Sequence, residues 1–236
     1  MEKIKLFCLP YAGGSATIYH QWKKYLHHRI QLCPVELAGR GKRFSENCYD
    51  SLADAVCDIY QSIKPELNTA SYSFFGHSMG SILVYELVRK INALPHPRPV
   101  HLFLSGRYPP HIIKREKNYH QLPDDEFKSE IIKMGGTPPE VFEHHELLAI
   151  FLPLLRADYK IIETYQYTPE DLDFNCGITL FNGKADQEVS GDEMLEWRRY
   201  SQAECRLYEF EGGHFFIHEH MEDIVEIINN TLIKTG

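Results

Sequence analysis

Tyr72-Ser73-Phe74-Phe75-Gly76-His77-Ser78-Met79-Gly80-Ser81-Ile82-Leu83-Val84 is the stretch whose reading decides the fold. Its first four residues read as a short apolar strand, and Met79 to Ile91 repeats apolar residues at helical spacing. Between them, Gly76-His77-Ser78-Met79-Gly80 sets a serine in a strand-to-helix turn. Such a turn strains the serine backbone, needs small neighbours and lifts the hydroxyl clear of the sheet. It also leaves the Met79 N–H at a helix N-terminus, aimed where a tetrahedral oxyanion would form. An N-cap serine between two incidental glycines is the plainer alternative.

Outward from this turn, strand-like runs recur at Ile4–Leu9, Ile30–Val35, Val100–Leu104, Ile178–Phe181 and Arg206–Phe210. Helix-period segments separate them at Thr17–Leu26, Ser51–Ile63, Asp192–Tyr200 and Met221–Ile233. The alternation predicts an α/β fold, a mostly parallel sheet flanked by helices. From Tyr108 to Asn175 the rhythm breaks into helical pieces, Asp124–Met134 and Glu140–Phe142 running into Glu146–Tyr165. This reads as an insertion, within one domain spanning 1–236, that covers the carboxyl end of the sheet.

Composition narrows the function. Of 236 residues 43% are hydrophobic and 25% charged, which excludes a disordered chain. With 25 Lys and Arg against 33 Asp and Glu, the net charge of −8 repels polyanions and argues against nucleic acid. Leu147 to Leu155, the longest strongly apolar stretch, is interrupted by Pro153 and falls far short of the ~20 residues that span a bilayer. Lys3 and Lys5 before an apolar run look superficially like a signal peptide, but a strand entering the Gly13-Gly14 turn accounts for them better. Six cysteines without CxxC spacing read as buried thiols, which points to the cytoplasm.

A serine hydroxyl needs a base and the base needs an acid. His214, in the turn after Arg206–Phe210, is the candidate base. His218 and His220 lie near enough to raise a metal site, but no HExxH or comparable cluster supports one. Asp186, in the loop after Ile178–Phe181, fits the chain order serine, acid, histidine; Glu188 and Asp192 are rivals in the same loop. A second oxyanion donor is expected from Pro10-Tyr11-Ala12-Gly13-Gly14, with Ala12 preferred over Tyr11. The glycines there match no GxxxxGK[ST], and no GxGxxG follows the strand.

These pieces resemble the type II, or external, thioesterases that accompany nonribosomal peptide and polyketide synthetases, on the α/β-hydrolase fold. The likeness rests on Leu9 to Gly14, Glu36-Leu37-Ala38-Gly39-Arg40-Gly41, the Ser78 elbow, Asn182-Gly183 before Asp186, and Gly212-Gly213-His214-Phe215. Leu122 to Phe127 and Leu152-Pro153 to Tyr159 look like that family's lid. One departure is Ala38, where the family usually has proline; the loss relaxes a turn and touches none of the candidate groups.

The resemblance implies hydrolysis of acyl or aminoacyl thioesters on the phosphopantetheine arm of carrier proteins, clearing misprimed groups, with Ser78, His214 and Asp186 as catalytic residues and Ala12 and Met79 as the oxyanion hole. It implies no cofactor and no metal, acyl or peptidyl carrier domains as partners, and a monomer. Carriers are commonly acidic, so a local basic patch is expected to meet them: Arg107, Lys114, Arg115 and Lys117. A medium-chain fatty acyl-carrier thioesterase or a carboxylesterase is the alternative on the same fold.

Overall fold

Six strands make one sheet: β1 Ile4–Leu9, β2 Ile30–Pro34, β3 Tyr72–His77, β4 His101–Ser105, β5 Gly177–Gly183 and β6 Cys205–Phe210. The computed structural model describes residues 3–114, 118–136, 141, 144–169 and 172–234. The strand order is β2-β1-β3-β4-β5-β6, and every neighbouring pair is parallel. The sheet is thus wholly parallel, and it lies where the sequence places its strands to within about two residues.

Parallel strands need crossovers, which here run as helices over both faces. On one face Phe7, Leu9, Phe74, Leu102, Leu104, Ile178 and Leu180 pack against helices α1 (Leu52–Ile63) and α2 (Met79–Asn92). On the other, Leu6, Cys8, Phe75, Phe103 and Phe181 meet Trp22 and the C-terminal helix Met221–Lys234. The alternation along β1 follows from the two-residue period of a strand. Phe103 and Phe181 lie nearly parallel at 6.2 Å, and each fully buried ring contributes about 1.5–3 kcal/mol.

Two helix-period segments fold differently from expectation. Thr17–Leu26 is a run of 3₁₀ turns over Ala16–Lys24, and Asp192–Tyr200 divides into an α-turn, Gly191–Leu195, and a 3₁₀ turn, Glu196–Tyr200. The buried positions explain both: Ala16, Tyr19 and Trp22, then Met194, Trp197 and Tyr200, recur every third residue, the period of a 3₁₀ helix. The cysteines are unpaired, but not all are buried: Cys57 is exposed on α1, where its sulfur accepts from Lys90 Nζ at 3.4 Å.

Between β4 and β5 the described residues contain no strand. They form a 3₁₀ turn (Tyr119–Gln121), α3 (Asp124–Met134) and α4 (His145–Glu163); of the helical piece expected at 140–142, residues 140 and 142 lie outside the described ones. Phe127, Ile131 and Leu155 form a small core that joins α3 to α4. Glu163 Oε1 accepts from Tyr119 N–H at 2.8 Å, and Arg156 Nη1 donates to His120 and Leu122 carbonyls at 2.7 Å, so α4 holds the Tyr119 turn over the sheet. No described helix is long and apolar enough to cross a membrane.

Candidate active site

The turn after β3 is strained, as its sequence predicts. Ser78 has φ 53° and ψ −116°, a region that costs a non-glycine residue roughly 1–3 kcal/mol. Its side chain makes no capping bond to α2, so the plain N-cap reading does not describe it. A Cβ on Gly76 would sit 2.3 Å from the Gly80 carbonyl oxygen, which explains the glycine there. Hydrogen bonds hold the strained residue: Ser78 N–H donates to Ser105 O at 2.8 Å, and the one Ser81 hydroxyl proton is shared between Gly76 O at 2.8 Å and Ser105 O at 3.0 Å. Met79 follows as the first residue of α2, buried, with an N–H that has no acceptor within its helix.

The loops after β5 and β6 bring the acid and the imidazole together. His214 Nδ1 donates to Asp186 Oδ2 at 2.7 Å. The other carboxylate oxygen, Oδ1, accepts from Glu188 N–H at 2.8 Å and Val189 N–H at 3.3 Å, which fixes the plane of the group. Of the three acids considered, Asp186 is the one bonded to His214: Glu188 supplies a backbone amide, and Asp192 stands in the first turn of the Gly191–Leu195 helix. His218 Nε2 hydrogen-bonds the Tyr11 hydroxyl at 3.1 Å, and His220 Nε2 donates to Glu211 O at 3.0 Å, so the nearby imidazoles turn to separate partners.

One cavity of about 630 Å³ is lined by Ala12, Ser78, Asp186 and His214, together with Arg107 and Lys114. The helical insertion supplies much of the remaining wall through Tyr119, Glu130, Lys133, Met134 and Tyr159. Lys114 is already engaged: it lies 2.7 Å from Glu193 Oε1, donates to Glu188 O at 2.7 Å and sits 4.5 Å from the Tyr108 ring centroid. The Arg107 guanidinium covers the same ring at 4.4 Å. Arg115 and Lys117 lie outside the described residues.

Sequence reasoning passed over His77. It is fully buried, and its Nδ1 hydrogen-bonds Ser105 Oγ at 2.8 Å, with its ring 5.1 Å from that of His214. Burial, reinforced by His214 and His218, holds its pKa well below the ordinary imidazole value, so it stays neutral beside the site. Tyr11, edge-on to both His77 and Phe215, has its phenol pushed up to about 12 by burial. The variable position of the serine motif is the available signal for His77; nothing local points to Tyr119, Glu130, Lys133, Met134 or Tyr159 as cavity residues.

Known proteins resemble this chain along nearly its whole length. The family model described as "Thioesterase domain" matches residues 4–232. The gramicidin S biosynthesis protein GrsT of Aneurinibacillus migulanus is 37% identical, over 96% of this chain and 88% of its own. The crystal structure of ClbQ from the colibactin NRPS/PKS pathway superposes with a TM-score of 0.94 at 40% identity, covering 99% of this chain and 98% of that one. The type II thioesterase BorB from the borrelidin biosynthetic cluster gives a TM-score of 0.87 at 32% identity, over 97% and 92% of the two chains. The sheet is therefore that of an α/β hydrolase, and the chain belongs to the thioesterase domain family, as an enzyme of the serine-hydrolase type that acts on thioesters.

Proposed function

We propose that this enzyme is a type II thioesterase that clears acyl or aminoacyl groups from the phosphopantetheine arm of carrier proteins in nonribosomal peptide or polyketide assembly. The observation that carries the reading is the 2.7 Å bond between His214 and Asp186 in the cavity that also receives the strained Ser78. Ser78 Oγ attacks the thioester carbonyl while His214 Nε2 takes its proton. The N–H groups of Ala12 and Met79 hold the developing oxyanion. The C–S bond breaks, and the pantetheine thiolate leaves with the proton from His214. Water, losing its proton to His214, then cleaves the acyl-Ser78 ester, and His214 returns that proton to Ser78 Oγ, which frees the carboxylic acid and restores the enzyme. Asp186 keeps Nδ1 protonated and stabilises the charged ring throughout. The chemistry calls on no metal or bound cofactor.

Arg107 and Lys114 stand on the cavity wall, where they suit the approach of an acidic carrier or the phosphate of its arm. Both cations are tied to the wall they stand on, Lys114 through Glu193 and Arg107 over the Tyr108 ring, and the enzyme acts as a monomer toward its carrier. Turnover of acetyl-carrier, long-acyl-carrier and a simple oxygen ester tests the reading. Preference for the short carrier thioester supports it; preference for the long acyl carrier or for the oxygen ester contradicts it.

A further inference from the structure

Outside the catalytic groups, one buried ion pair grips the loop that carries Ala12. Arg40, in the turn after β2, and Asp158, on α4, are 3% and 2% exposed. Arg40 Nη1 donates to Asp158 Oδ2 and Nη2 to Oδ1, both at 2.7 Å. Each partner then reaches the same loop: Asp158 Oδ2 accepts from Gly13 N–H at 2.7 Å, and Arg40 Nη1 donates to Gly14 O at 3.1 Å. Gly14 N–H closes back on Tyr11 O at 2.9 Å, so the turn around Ala12 is tied at three points. α4 also packs on it, since a Cβ on Gly13 would lie 2.8 Å from Leu155 and 2.9 Å from Phe151. The Ala12 amide itself donates to no protein acceptor among the described residues.

A buried ion pair is a poor device for stability, because desolvating two charges offsets most of their attraction. It is a good device for geometry. The planar guanidinium and the carboxylate meet in two parallel bonds that fix orientation as well as distance. Here the fixed geometry is delivered to the residues beside Ala12. An oxyanion donor is effective only when it is held in place before charge develops, and loss of one costs about 10²–10³ in kcat.

We propose that Arg40 and Asp158 are positioning residues: together they set the Ala12 N–H toward the oxyanion and join that loop to the helix roofing the cavity. The proposal rests on the reading of Ala12 as an oxyanion donor for thioester hydrolysis. It makes α4 part of the transition-state machinery as well as a wall.

The test uses the full chain. Arg40→Met/Asp158→Leu removes both charges together and leaves no lone ion in the interior; Asp158→Asn keeps an acceptor for Gly13 while weakening the pair. Each variant is first shown to melt cooperatively. Its kcat and KM are then measured on an acyl-pantetheine thioester, along with its affinity for an alkyl boronic acid that becomes tetrahedral on Ser78. The expected result for the double variant is a loss of about 10²-fold in kcat, a matching loss in boronate affinity and a KM within about threefold, with Asp158→Asn between it and wild type. A folded variant of either kind whose kcat and boronate affinity stay within about threefold of wild type, or whose loss lies in KM alone, overturns the inference. Wild-type enzyme that releases no thiol from acyl-pantetheine overturns the functional reading itself, a separate outcome.

Discussion

Gly80 sits against the carbonyl of Leu9 so closely that a Cβ on it would lie 2.3 Å from that oxygen and 3.0 Å from the next, on Pro10. The contact joins the two loops that supply the proposed oxyanion donors, since Leu9 ends the strand leading to Ala12 and Gly80 follows Met79. Gly80→Ala must push these backbones apart. It is expected to destabilise the fold by about 1–3 kcal/mol and to lower turnover at least about tenfold. Denaturant titration and steady-state kinetics on the same preparation check this, and wild-type values in both would refute the contact's role.

Asp186→Asn keeps the shape of the side chain but replaces an acceptor with a group that favours the wrong imidazole tautomer. The account predicts a fall in kcat of about 10³–10⁴-fold with little change in KM. A variant that retains more than about a tenth of the wild-type kcat would remove Asp186 from its assigned role.

Acid should weaken the fold from about pH 6.5 downward, through its buried histidines. Burial lowers the pKa of His77 and of His218, and that of His101 to about 4. Each is therefore depressed in the folded state. Between the folded value and the ordinary ~6.5 the unfolded chain binds more protons, so this stability is complete above ~6.5 and is lost as pH falls. Each such histidine adds a slope of up to ~1.4 kcal/mol per pH unit. Denaturation at pH 7.5, 6.0 and 5.0 should show the decline, and His101→Asn should flatten it; an unchanged slope in that variant contradicts the assignment.

Arg107→Ser tests the carrier-facing wall. It should raise KM for an acyl-carrier substrate several-fold while leaving a small acyl thioester nearly unaffected. Equal effects on both substrates would assign Arg107 to cavity shape and its contact with Tyr108 instead.

The parts of this site that the sequence made legible are those that local rules govern. A strand, a strained turn and a helix leave a compact signature around Ser78, and loops after β5 and β6 announce Asp186 and His214 by chain order. The 3₁₀ segments differ from the helices their spacing predicts because a three-residue burial period resembles a helical one over nine positions. Arg40 and Asp158, 118 positions apart, form a pair that no spacing predicts. Their partnership follows from how the insertion folds back over the sheet. Lys114 reads as part of a basic patch, and its pairing with Glu193, 79 positions away, leaves no local signal.

The central claim is that Ser78 is the nucleophile, activated by His214. Fluorophosphonate labelling followed by peptide mass mapping, run beside thiol release from an acyl carrier, tests it most directly. The account predicts one adduct on Ser78, lost in Ser78→Ala and strongly slowed in His214→Ala, with at least about a 10³-fold fall in thiol release by Ser78→Ala. An adduct on a different residue, or near wild-type thiol release by Ser78→Ala, would contradict it.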